Sequence, residues 1–138
     1  MIDNYGNVQA ILRELQLALK RLRETGETHT IYIEKTGLTM EEQVEVMETL
    51  GRGNITINFT ETDQPVEWYE TQFSGIWLGT FRNARDEAIV YTLEVGRYPS
   101  LCGAFDEDIE LLKRNFRRGL TLPICKTISN LQLVSYSK

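Results

Sequence analysis

From Gly51 to Pro99 the chain reads as a succession of short β-strands punctuated by turn residues, and this stretch limits the fold more than any other. Ile55, Ile57 and Phe59 alternate with Thr56, Asn58 and Thr60, the two-residue period of a strand with one buried face. Thr62-Asp63-Gln64-Pro65 marks a reversal. Val66 to Phe73 reads as the returning strand, bent or bulged at Ser74-Gly75 and continued from Ile76 to Arg82. Asn83-Ala84-Arg85-Asp86-Glu87 closes a second hairpin, after which Ile89, Tyr91, Leu93 and Val95 form one side of a further strand. Residues 51–99 contain no His, Cys or Lys, so a sheet built from them carries little reactive chemistry of its own.

The flanks are helical. Val8, Ile11, Leu12, Leu15, Leu19 and Leu22 recur at three- and four-residue steps, the apolar stripe of an amphipathic helix. Asn7 is placed to cap it, Lys20, Arg21 and Arg23 suit its negative end, and Gly26 supplies the stop. His29 to Glu34 alternates as a half-buried strand. Thr39 and Glu42 have the spacing of a capping box, opening a helix to Leu50 with Met40, Val44, Met47 and Leu50 expected inside and Glu41, Glu45 and Glu48 outside. Strand, helix, strand with short joins predicts that the strands at 29–34 and 54–60 pair in parallel through a right-handed crossover. Beyond Pro99, Asp106 is expected to cap a helix with Ile109, Leu112 and Phe116 on one face, stopped by Gly119. Leu131-Gln132-Leu133-Val134 reads as an edge strand. The expectation is a single α+β domain over 1–138: a mixed, mostly antiparallel sheet of four or five strands with helices on one face.

Charge and cysteine usage narrow the function. The net charge is −5, with 6 basic and 13 acidic side chains in residues 1–70 against 9 and 7 in residues 71–138. Such a chain lacks the basic stripe that nucleic-acid binding draws on. No apolar run is long enough to span a bilayer, and the first residues lack a signal peptide's basic start and apolar core; a cytoplasmic protein without membrane insertion is expected. In that compartment Cys102 and Cys125 read as free thiols, and with the single His29 they do not complete a zinc or iron–sulfur site. No cofactor, metal or catalytic residue is therefore assigned.

Individual residues have competing readings. His29 is a strand-edge residue unless a partner makes it a base or ligand. Gly51-Arg52-Gly53 follows a helix and opens a strand, the reverse of a phosphate loop, so it reads as a helix stop. Asn54-Ile55-Thr56 and Asn58-Phe59-Thr60 match the glycosylation pattern by chance. Trp68, Tyr69 and Trp77 are packing residues or interface anchors. Trp77 alternates with Ile76 and Leu78, so one of those sets faces away from the main core and needs a second layer or a partner. Lys113, Arg114, Arg117 and Arg118 form a basic helix end, a solvated terminus or a patch for an acidic partner. These seven residues, Trp68 to Arg118, are the candidate partner-binding set.

Three segments carry a family resemblance. Leu50-Gly51-Arg52-Gly53-Asn54-Ile55, Glu70-Thr71-Gln72-Phe73-Ser74-Gly75-Ile76-Trp77 and Leu93-Glu94-Val95-Gly96-Arg97-Tyr98-Pro99 occur in this order. In order and spacing they resemble segments of the C-terminal region of the HupH/HyaF hydrogenase expression/formation proteins. The resemblance covers about residues 8–99. It implies a non-enzymatic accessory protein, a chaperone or assembly factor that assists the small, iron–sulfur-carrying subunit of an uptake [NiFe] hydrogenase or another maturation factor. It carries no catalytic residues across. The alternatives are a small metal- or cluster-handling protein using Cys102, Cys125 and His29, and a ligand- or nucleic-acid-binding module using the basic helix end. Oligomeric state is not readable from the sequence.

Overall fold

The computed structural model describes residues 4–118. In chain order the elements are α1 (Asn4–Thr25), β1 (His29–Tyr32), a 3-10 turn (Ile33–Lys35), α2 (Met40–Leu50), β2 (Thr56–Phe59), β3 (Val66–Glu70), β4 (Ile76–Arg82), β5 (Ala88–Val95), a second 3-10 turn (Ser100–Cys102) and α3 (Asp106–Arg118). Five strands form one sheet in the order β1-β5-β4-β3-β2, and every neighbouring pair is antiparallel. The α+β class and the five-stranded sheet agree with the sequence pattern. The expected parallel pairing does not occur. β1 and β2 run in the same direction but occupy opposite edges, because the β3–β4–β5 meander fills the space between them. β1 instead pairs with β5, His29 opposite Val95 and Tyr32 opposite Thr92.

A second correction concerns residues 71–75. The strand from Val66 is not bent there but reversed, so β3 and β4 form a hairpin with Glu70 opposite Trp77. Gly75 has φ +90°, a conformation that L side chains rarely adopt. Its N–H donates to the Glu70 carboxylate at 3.1 Å, and the Thr71 N–H donates to the Ile76 carbonyl at 2.9 Å. The other two hairpins lie where turn residues place them, with a bulge beside Arg82 where Ala88 takes the pairing position and Ile89 projects outward.

The two faces of the sheet are closed differently. On one, Ile31, Ile76, Leu78, Leu93 and Val95 pack against Val8, Ile11, Leu15, Ala18 and Leu22 of α1 and Val46 and Leu50 of α2. On the other, Val66, Trp68 and Trp77 form a second cluster with Ile57, Phe59, Phe81, Leu101 and Cys102 at its margin. β4 is therefore buried on both sides from Ile76 to Thr80. Trp68 and Trp77 are 1% and 3% exposed. The Trp68 indole lies across Gly79: a Cβ built there would fall 2.8 Å from Trp68 Cδ1 and 2.7 Å from Thr92 Oγ1. The Trp77 indole N–H donates to the Gly96 carbonyl at 3.1 Å. Trp68 meets Phe81 edge-on, centroids 6.1 Å apart, a favourable aromatic geometry.

α1 carries the anticipated apolar stripe and stops where the Gly26 N–H bonds the Leu22 carbonyl. It begins at Asn4, so Asn7 is not its cap; the Asn7 amide donates to Glu42 at 3.3 Å. The capping box of α2 is present in both directions, Glu42 N–H to Thr39 Oγ1 and Thr39 N–H to Glu42 Oε1. The buried face of α2 differs from the expected one. It consists of Glu42, Val46 and Leu50, while Met40 is 74% exposed and Val44 projects into solvent. Glu42 is buried because the cap and Asn7 satisfy its carboxylate, which a hydropathy pattern does not register. In α3 the first helical bond, from the Ile109 N–H, goes to the Phe105 carbonyl. Phe105 thus occupies the cap position expected for Asp106, and Ile109 is half exposed. Phe116 belongs to α3, but its side chain, Gly119 and the edge strand expected at 131–134 lie outside the described residues.

Two expectations test this packing. Trp77→Ala removes a fully packed indole and is expected to lower unfolding free energy by about 3–5 kcal/mol, read from urea denaturation. The Glu42 carboxyl lies below its ordinary value of 4.5, chiefly because the Thr39 backbone N–H binds its charged form, with Asn7 and the Thr39 hydroxyl adding to this against the opposing effect of burial. A depressed folded value means that this stabilisation is present above 4.5 and lost as pH falls through the folded value. Thermal melts at descending pH below 4.5 should show a decline that Glu42→Gln flattens; an identical decline in the variant refutes the assignment.

Candidate functional site

The three motif segments, far apart in sequence, meet at one end of the sheet, where β2 and β4 begin and β3 and β5 end. α2 closes with the Gly51 N–H on the Met47 carbonyl, and the chain then runs directly against β3. The Gly53 N–H reaches the Glu70 carbonyl at 2.6 Å, the Glu70 N–H reaches the Ile55 carbonyl at 2.9 Å, and the Gln72 N–H reaches the Leu50 carbonyl at 3.0 Å. A Cβ on residue 53 would lie 2.7 Å from the Thr71 carbonyl oxygen, so glycine is what permits this approach. The third segment joins through the Gly96 N–H to the Gly75 carbonyl, at 2.9 Å, and through the Trp77–Gly96 bond. The Glu94 carboxylate accepts the Ser100 N–H at 2.8 Å. The acidic side chains Glu70 and Glu94 of the motifs are thus committed to main-chain amides, one at each turn.

Three adjoining clefts cross this end. The first, about 410 Å³, is lined by Arg52, Gly53, Asn54, Ile55, Glu70 and Ser74 among others. The second, about 340 Å³, shares Glu70 and Ser74 with it and adds Leu19, Arg23 and Arg97. The third, about 240 Å³, shares Leu22 and Arg97 with the second and extends to Thr28, Tyr98 and Gly103. Phe73 and Tyr98 are 48% and 55% exposed beside them. The Arg52 guanidinium lies over the Tyr69 ring, 4.4 Å from its centroid, with Nη2 3.4 Å from Thr56 Oγ1. Burial raises the Tyr69 phenol above its ordinary value, Arg52 opposes this and Glu67 reinforces it, so Tyr69 stays neutral at ordinary pH.

The candidate residues from sequence are dispersed. Trp68 and Trp77 are interior, each part of the second cluster, and a layer of this same chain that includes Leu101 and Cys102 lies against them. Tyr69 is half-buried beneath Arg52. Lys113 and Arg114 are exposed on α3 and line none of the three clefts. Arg117 and Arg118 belong to α3, but their side chains lie outside the described residues, as does Cys125. His29 pairs with Glu14 of α1 at 2.6 Å on the surface, in a cleft lined by Leu17, Ala18, Arg21, Glu27 and Thr28. Cys102 packs at the margin of the tryptophan cluster. Among the described residues no group of three or more His, Cys, Asp or Glu side chains is arranged to hold a metal ion, and no helix is long and apolar enough to cross a membrane. Sequence reasoning missed Arg52, Phe73, Arg97 and Tyr98, although all lie inside the three motif segments. The glycines and turn residues of the motifs mark them as scaffold, and the outward side chains between them are the signal that points to these four.

The comparisons agree on one family. The model described as HupH hydrogenase expression protein, C-terminal conserved region, matches residues 6–119, a wider span than the three motifs cover. The solved structure of the hydrogenase expression protein HupH from Thiobacillus denitrificans ATCC 25259 is similar with a TM-score of 0.74 and 27% identity, covering 83% of this chain and 94% of that one. No curated protein matches the chain at a significant level.

The close passage of residue 53 along β3 gives a direct test. Gly53→Ala is expected to cost about 1–3 kcal/mol through steric displacement and to accelerate hydrogen exchange at the Gly53 and Glu70 amides, while the Ile31 amide in β1 stays protected. Unchanged exchange at Gly53 and Glu70 would show that the segment has room to spare.

Proposed function

This chain belongs to the HupH hydrogenase expression protein family, through its C-terminal conserved region, and from that premise we propose that it is a non-enzymatic assembly factor attending the small, iron–sulfur-carrying subunit of an uptake [NiFe] hydrogenase. An accessory role in hydrogenase expression follows from the family. The chaperone role, the choice of the small subunit and action in the cytoplasm are the further step. The observation that supports it is the convergence of all three motif segments on one end of the sheet. There main-chain bonds fix the backbone, both motif carboxylates serve those bonds, and arginine and aromatic side chains are left facing outward. Such a surface has the residue types that anchor protein interfaces. It holds the elements of a binding face.

In this reading the protein recognises its client before export and releases it unchanged. Tagged protein isolated from its native host should retain the small-subunit precursor, and deletion of the gene should remove most hydrogenase activity. Absence of the precursor from the isolate, together with normal activity in the deletion strain, refutes the proposal.

A further inference from the structure

The three clefts at the motif end adjoin one another: the first shares Glu70 and Ser74 with the second, and the second shares Leu22 and Arg97 with the third. They form a groove from Asn54 to Tyr98 over the ends of β3 and β5 and the C-terminal end of α1. Three guanidiniums line it, Arg23, Arg52 and Arg97, in a chain whose net charge is −5. The ion pairs of the described residues involve Arg21, His29, Arg82 and Arg85; none of the groove arginines takes part. Glu70 is the one acidic residue among the described lining, and one of its carboxylate oxygens already holds the Gly75 amide. The negative ends of α1 and α2 account for Arg23 and bear on Arg52, which follows the Gly51 cap, but do not account for Arg97 after β5.

We infer that this groove takes an extended acidic segment of the partner protein, with carboxylates held by Arg23, Arg52 and Arg97 and an apolar side chain seated against Phe73 or Tyr98. Stacking on Tyr69 and the bond from Nη2 to Thr56 hold the Arg52 guanidinium in place, and its remaining N–H donors can meet a carboxylate. Arginine already ordered loses less freedom on binding. The groove is long and shallow rather than a closed chamber, which fits a polypeptide better than a small anion. Three cations in an acidic protein are too few for a nucleic-acid backbone, which draws on many phosphate contacts. The partner's identity rests on the assembly reading above; the chemistry of the bound segment does not.

The test uses two short peptides, Glu-Glu-Phe-Glu-Glu and Gln-Gln-Phe-Gln-Gln, both blocked at their ends, titrated into the whole labelled protein and followed by NMR at about 50 mM salt. The acidic peptide should shift the amides of Arg52, Ser74, Gly75 and Arg97, and the glutamine peptide should not. Arg23→Gln with Arg97→Gln should weaken the interaction roughly tenfold or more. These two side chains make no hydrogen bond or ion pair within the described residues, so melting should fall only slightly, through the loss of the Arg23 charge at the end of α1. Arg52→Lys should weaken binding too, while Lys113→Gln with Arg114→Gln should leave it unchanged. Equal shifts with both peptides, shifts confined to α3, or tighter binding of oligothymidylate than of the acidic peptide would overturn the inference. Small-subunit capture separates it from the reading above. Equal capture by the wild type and the Arg23→Gln/Arg97→Gln variant removes the groove and keeps the assembly role; peptide binding without any capture by the wild type does the reverse.

Discussion

Between β3 and β5, strand β4 presents Gly79 where the Trp68 indole crosses toward Thr92, and the absence of a side chain at that point lets the sheet close on its second face. Ile57, Trp68, Gly79 and Thr92 form one cross-strand row. The row works only if one member is small enough for the largest to lie flat. Trp77, two pairing positions nearer the motif end on the same face, is then held by its indole bond to Gly96, and Phe81 meets Trp68 edge-on at the other side. With α1 and α2 covering the opposite face, β4 becomes the central buried strand. A buried indole N–H without an acceptor is costly, and Trp68 Nε1 has none among the described residues. The apolar area of the ring and its aromatic contact offset that loss.

This interior determines what remains for the surface. At the end of the sheet where the motifs meet, the chain must turn from β3 to β4 and leave β5 within a few residues. Glu70 and Glu94 provide the carboxylates that accept the stranded amides. Each is removed from the pool of groups able to act on a ligand. The side chains that point away from these turns, Arg52, Phe73, Arg97 and Tyr98, are set on a backbone pinned by short main-chain bonds. Recognition by such a surface depends on shape and charge held in fixed positions, which suits an accessory role in hydrogenase expression.

Much of the secondary structure was legible because it depends on local patterns. The stripe of α1, the Thr39–Glu42 box and the alternation in β2 each lie within one element, whereas β5 is exposed over its first half and buried on both faces over its second. The misreadings arise where distant contacts decide. The β3–β4 reversal lacks the Asn-Gly or Pro-Gly pair that announces a turn, and its anchor is a carboxylate five residues upstream of Gly75. The buried face of α2 contains Glu42, whose charge argues for solvent until Asn7 is known to lie beside it. The β1–α2–β2 order suggests neighbours, yet the partner of β1 is β5. The candidate site was partly legible: its three segments stood out as motifs, but nothing local shows that Arg23 in α1 and Arg97 after β5 line one groove.

The strand order also bears on how the chain acquires its shape as it leaves the ribosome. β1 emerges early but has no neighbour until β5 follows, roughly sixty residues later, so a nascent molecule must keep its first strand unmatched while most of the sheet is still being made. The apolar stripe of α1 has no finished surface to rest on during that interval. Pairing partners so far apart in sequence slow the closure of the sheet, so its edge strand and the apolar face of the first helix stay exposed until the fifth strand is available.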